Sequence, residues 1–125
     1  MVSFCFRLGR YALAVLLACA VPVPMAGAAE LSFALRIDHG QVPENMRTIR
    51  VQQGDVVRLQ WSTDRPTVLH LHGYDIEARV EPGAVRELVF TAYATGRFPV
   101  EIHAARERSG SQAQEELVYV EVYPR

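Results

Sequence analysis

From Glu30 onward, apolar and polar residues alternate in short runs separated by turn-forming residues. Leu31, Phe33, Leu35 and Ile37 alternate with Ser32, Ala34, Arg36 and Asp38, and Asp38-His39-Gly40 ends the run. Successive side chains on a β-strand point to opposite faces, so each such run reads as a strand with one buried face. Pro43-Glu44-Asn45 falls in the loop that follows. Ile49 and Val51 mark a second strand, ended by Gln53-Gly54-Asp55. Val57, Leu59 and Trp61 alternate with Val56, Arg58 and Gln60 in a third, before the turn Asp64-Arg65-Pro66. Further strands are expected around His70, over Ile76 to Val80, at Leu88 and Phe90, from Phe98 to His103, and at Val118, Val120 and Val122. About eight short strands at spacings near ten residues, with no sustained 3.6-residue period, indicate an all-β sandwich or barrel. The polar residues Ala104 to Glu116 read as a loop or a short helix.

Residues 1–29 follow a different pattern. Arg7 and Arg10 give a basic start, Tyr11 to Ala20 is apolar and uncharged, and Pro22 and Pro24 precede the small residues Ala26-Gly27-Ala28-Ala29. Basic, apolar and small residues in that order form a secretory signal with a cleavage site. The apolar run falls short of the roughly 20 residues a membrane-crossing helix needs, which argues against an uncleaved anchor. Leu16-Leu17-Ala18-Cys19 loosely resembles a lipoprotein box, but Leu17 suits that role poorly. The expected organisation is a signal peptide over 1–29 and one domain over 30–125, the mature chain beginning at Ala29 or Glu30, exported to the periplasm without a membrane span after processing.

Cleavage alters the charge and cysteine inventory. The leader holds two of the 13 basic residues and none of the 14 acidic ones, leaving 11 against 14 and a net charge of −3. This mild acidity argues against nucleic acid or an anionic membrane surface as partner. All 13 basic residues are arginine, so the chain has no lysine. Cys5 and Cys19 both lie in the leader, so the mature domain has no disulfide, thiolate ligand or cysteine nucleophile. Its stability must come from the core alone.

Candidate chemistry is concentrated in two stretches, Thr67-Val68-Leu69-His70-Leu71-His72-Gly73-Tyr74-Asp75 and Gly96-Arg97-Phe98-Pro99-Val100-Glu101-Ile102-His103. With Leu69 and Leu71 facing the core, His70 and His72 share the outer face; with Phe98, Val100 and Ile102 inward, Glu101 and His103 point outward. If the two strands are neighbours, three imidazoles and a carboxylate converge. Metal ligation requires such convergence, with imidazole nitrogens about 2.0–2.1 Å from the ion.

His70-Leu71-His72-Gly73 and the Gly96 to His103 stretch resemble the copper-binding strands of the cupredoxin fold, and in particular multicopper oxidase domains. Those domains carry a His-x-His-Gly motif and, after a Gly-x-aromatic turn, a second His-x-His on the neighbouring strand. The resemblance spans Leu31 to Tyr123 and implies a Greek-key β-sandwich with the two histidine strands close together. Two positions depart from it. Ile102 stands where small blue-copper proteins place a cysteine, and Thr67 stands where oxidases with an electron-transfer copper have a further histidine. Without a cysteine the His₂Cys blue-copper site cannot form. The remaining pattern is similar to half of the oxidases' three-copper cluster, with Glu101 in place of a fourth histidine. A full cluster would need a second chain.

The sequence therefore reads as an exported, non-enzymatic cupredoxin-like domain binding a transition metal through His70, His72 and His103, with Glu101 as fourth ligand or as a partner of the ligands. Copper is the expected ion and zinc the other candidate, since imidazole suits both and copper binds more tightly. The role would be metal holding or delivery, with another envelope protein as a further partner. The rival reading is a metal-free module of the same fold that binds a partner protein or small ligand; an oxidase would need a partner domain. His39 lies in a separate turn, Tyr74 and Asp75 suit turn or supporting roles, Met46 is core or loop, and Trp61 is core. Ser62, Ser109 and Ser111 lack a nucleophile-elbow context, and no glycine-rich phosphate loop opens a helix.

Overall fold

The computed structural model describes residues 22, 27–103 and 114–125. The expected leader lies outside the described residues except for Pro22 and residues 27–29, and so does the polar stretch over 104–113.

Eight strands follow in order: β1 (Glu30–Ile37), β2 (Thr48–Gln52), β3 (Val56–Thr63), β4 (Thr67–Leu71), β5 (Ile76–Val80), β6 (Arg86–Thr91), β7 (Gly96–His103) and β8 (Gln114–Tyr123). A single 3-10 turn, Glu44–Met46, interrupts the β1–β2 loop. The strands form a three-stranded sheet, β1-β3-β6, and a five-stranded sheet, β2-β8-β7-β4-β5. β1 runs parallel to β3 and β2 parallel to β8; the other pairings are antiparallel.

Alternation in the sequence becomes alternation in burial. In β3, Val57, Leu59, Trp61 and Thr63 are buried while the residues between them are half-exposed. In β4, Thr67, Leu69 and Leu71 are buried and Val68 and His70 are not. Trp61 and Leu59 of one sheet join Leu69, Val100, Val118 and Val120 of the other in a single apolar cluster. Fully burying a Val, Leu or Ile side chain contributes about 1.5–3 kcal/mol, and sixteen of them among the described residues, with Trp61 and Phe90, hold this cysteine-poor fold together.

One expectation is corrected. Gln114, Glu115 and Glu116 are not loop or helix but the first residues of β8, paired with His103, Ile102 and Glu101 of β7. Main-chain pairing extends the strand beyond the reach of its apolar alternation. A register shift between Val100 and Glu101 marks a bulge against β8, beside the histidine cluster. Bulges re-aim side chains, and they concentrate near functional sites.

Candidate metal centre

β4 lies between β5 and β7, so the two histidine-bearing strands are immediate neighbours. Their antiparallel register sets His70 opposite Glu101 and Val68 opposite His103. Directly opposed residues share a face of the sheet, which confirms the expected parity. His72 stands just past the end of β4, and its N–H donates to the Pro99 carbonyl (3.1 Å), continuing the ladder by one residue.

Three imidazoles meet on the outer face of the sheet. One nitrogen from each of His70, His72 and His103 lies within 4.8 Å of the others. The His70 ring centroid is 4.2 Å from that of His72 and 5.5 Å from that of His103. All three rings are half-buried. Ligands about 2.0–2.1 Å from a common ion lie somewhat closer together than 4.8 Å.

Hydrogen bonding distinguishes the ring nitrogens. His72 Nε2 lies 2.7 Å from Glu101 Oε2. An ionised carboxylate only accepts, so Nε2–H is the donor and the lone pair of His72 is on Nδ1. His70 Nε2 makes a longer contact of 3.4 Å to Asp75 Oδ1. The other nitrogen of His70, Nδ1, is buried with no hydrogen-bond partner, and so is His103 Nε2. Buried polar atoms are nearly always paired, and an exception calls for an explanation such as an ion. Of the three such atoms among the described residues, Trp61 Nε1 lies in the core and the other two belong to this trio.

Glu101 reaches the cluster through His72, and its side chain is only 12 % exposed. His39 is elsewhere, in the Asp38–Gln41 turn, with φ 51° and an 89 % exposed side chain. Trp61 is fully buried, as expected, and Met46 packs against the core.

The turn after His72 is fixed by Gly73 and Tyr74, which the sequence places in the turn, together with aromatic residues from β6, β7 and the loop between them. Gly73 has φ +82°, and a Cβ there would overlap the Phe98 ring. Phe98 thus fits over the turn only because residue 73 has no side chain. Tyr74 packs edgewise against Phe98 and Tyr93 and tilted against Phe90, with centroids 4.8–5.0 Å apart. Its hydroxyl donates to the Ala94 carbonyl (2.9 Å) and accepts from the Ala94 N–H (3.3 Å). Burial pushes this hydroxyl above its ordinary pKa, against the opposing pull of the Ala94 bond. The aromatic cluster ties the β4–β5 turn to the β6–β7 loop, and so holds the ends of both histidine strands. Its signals in the sequence are Gly73-Tyr74 after the histidine pair and the Gly-x-aromatic pattern at Gly96 to Phe98.

No protein-family model matches this sequence, and no curated protein matches it. Solved structures match it in shape. A heme-copper terminal oxidase dimer superposes with a TM-score of 0.61 at 17 % identity, covering 77 % of this chain and 65 % of that one. The periplasmic domain of cytochrome oxidase subunit II from Bradyrhizobium japonicum gives a TM-score of 0.58 at 17 % identity, over 80 % of this chain and 88 % of that one. A multi-copper oxidase from Pseudomonas thermotolerans gives 0.56 at 24 % identity, over 79 % of this chain. The chain spans less than two thirds of the terminal oxidase chain and 31 % of the multi-copper oxidase. Such likenesses establish the fold, which is a cupredoxin-like β-sandwich.

Proposed function

We propose that this domain holds one transition-metal ion, copper, through His70, His72 and His103, as a carrier or reservoir rather than a catalyst. The observation that carries this reading is a pair of buried imidazole nitrogens without partners, His70 Nδ1 and His103 Nε2, inside a trio of convergent imidazoles. His72 Nδ1 is the third donor, since Nε2 is engaged by Glu101. Glu101 then orients a ligand and raises its basicity, as carboxylates behind metal-bound histidines do. An all-imidazole set suits Cu(II) and Zn(II), and the usual affinity order favours copper. Ile102 lies where the fold's electron-transfer centres place a thiolate, so the site is read as a holding site. His72 is 37 % exposed at its side chain, which leaves a route for transfer to an acceptor protein in the envelope.

The compartment belongs to the same reading. The basic, apolar and small-residue order of residues 1–29 specifies export, and the domain itself has no cysteine. Among the described residues no helix is long and apolar enough to cross a membrane. One structural neighbour is itself named a periplasmic domain, and we assign this chain to the periplasm. Elemental analysis of protein purified from that compartment, without added metal, tests the reading. Copper near one equivalent supports it, zinc changes the ion, and no metal favours the metal-free binding module.

A further inference from the structure

Asp55 is a second polar feature of the fold, remote in sequence from the histidines and buried to 3 % exposure in the turn between β2 and β3. Its Oδ2 accepts the Gln52 N–H (2.9 Å), which closes the turn. Its Oδ1 accepts from Arg125 Nη2 (2.5 Å) and from the backbone N–H of Ala29 (3.0 Å). Ala29 also extends the β1–β3 ladder, because its carbonyl accepts the Val56 N–H (2.8 Å). Ala29 is thus the first residue tied into the sandwich by two bonds, and one of them ends on a buried carboxylate. The amide N–H already makes a charge-assisted bond to this carboxylate, and an ammonium at the same place would add a full opposite charge to it.

Resting on the export reading above, we propose that the leader is cut between Ala28 and Ala29, and that Asp55 is the receptor for the new α-ammonium of Ala29. Hydrolysis adds water across the Ala28–Ala29 bond. The hydroxyl goes to the Ala28 carbonyl carbon and the hydrogen to the Ala29 nitrogen, which takes up a further proton near neutral pH. Small residues Ala26 and Ala28 stand third and first before the cut, in the A-x-A pattern of export peptidases. Cutting one residue later, at Ala29–Glu30, would remove both the bond to Asp55 and the bond to Val56. Cutting at Ala28–Ala29 removes the Gly27 carbonyl from Arg125 Nη1 but leaves Arg125 its bonds to Asp55 and to the Gln53 carbonyl. A cleft of about 480 Å³ lined by Ala29, Asp55 and Arg125 adjoins the contact, so water can reach the remaining ammonium hydrogens.

Charged and titratable groups around the amine are Asp55 and Arg125 in contact, Arg50 and Tyr123 across the cleft, and Glu30, itself held by Arg58. Asp55 raises the pKa of the amine, and Arg125 opposes it through the shared oxygen.

The absence of lysine makes the test specific, because the α-amine is the only primary amine in the chain. The full chain is expressed with its leader in a Gram-negative host, and the exported protein is read by intact mass. It is then labelled with an amine-reactive ester across a pH series. The expected result is a chain beginning at Ala29 whose amine has an apparent pKa above the ordinary 7.7–8.0. Labelling at pH 7 should be roughly three- to tenfold slower than in Asp55→Asn, since one unit is tenfold in neutral amine. The same protein labelled in urea supplies the reference should Asp55→Asn fail to fold. A chain beginning at Glu30, or one acylated at Cys19, overturns this inference and leaves export standing; a full-length chain overturns both. A chain beginning at Ala29 whose amine has the same apparent pKa folded and unfolded overturns the role of Asp55.

Discussion

His72 and Glu101 stand on adjacent segments of the five-stranded sheet, with Nε2 of one 2.7 Å from Oε2 of the other. That contact assigns the proton on the ring and turns the lone pair of Nδ1 to the side of the ring away from the carboxylate. The carboxylate is nearly buried and His72 is its one side-chain partner among the bonds described. Glu101→Gln keeps the shape but removes the charge that fixes the tautomer. Losing a carboxylate behind a metal-bound histidine typically costs 10–100-fold in affinity, and Glu101→Gln is expected to weaken Cu(II) binding within that range. Equilibrium competition against a chelator of known affinity checks it.

Gly73 is where the site depends most on a residue with no side chain. Ala at φ +82° incurs the left-handed penalty, about 1–2 kcal/mol, and its Cβ would overlap the Phe98 ring. Displacing that ring adds an overpacking cost of about 1–3 kcal/mol. Gly73→Ala is therefore expected to lower stability by roughly 2–5 kcal/mol, read as a shift in urea midpoint at unchanged slope. Copper affinity should fall with it, because the same turn carries His72.

The histidine face was legible in the sequence because strand parity is a strict rule: Leu69 and Leu71 inward puts His70 and His72 outward. The same rule placed Glu101 and His103. What it could not supply was register. Whether Glu101 faces His70 or bonds His72 depends on where β7 slides against β4, and on the bulge between Val100 and Glu101 that adds a residue of β8 opposite them. Gln114 to Glu116 read as loop because they lack apolar alternation, and they became strand through main-chain bonds to β7. Phe98 packs against the core as its alternation predicts, and it also covers the Gly73 turn from 25 residues downstream in the chain, a long-range contact that local patterning does not encode.

Acid should weaken the fold at Asp55. The N–H groups of Ala29 and Gln52, with Arg125 beside them, hold this carboxyl below the usual carboxylate range, against the opposing effect of burial. A depressed folded pKa contributes stability that is fully present above the unfolded value, near 3.9 for Asp, and is lost as pH falls through the folded value. Asp55→Asn is expected to be less stable than the parent at pH 7, with the gap closing below about pH 4. Denaturation midpoints of both proteins between pH 7 and pH 2.5 measure that gap directly.

The central claim is that His70, His72 and His103 hold a single ion, and calorimetric titration of Cu(II) into the parent and four variants tests it most directly. The parent should bind one equivalent. His70→Ala, His72→Ala and His103→Ala should each bind at least about tenfold more weakly, a loss of about 1.4 kcal/mol per tenfold. Each should still fold, since the three side chains lie on the outer face of the sheet and two of them lose a buried nitrogen that has no partner. His39→Ala, in its separate exposed turn, should bind as the parent does. A parent with no saturable binding, or three histidine variants that match it, would contradict the account.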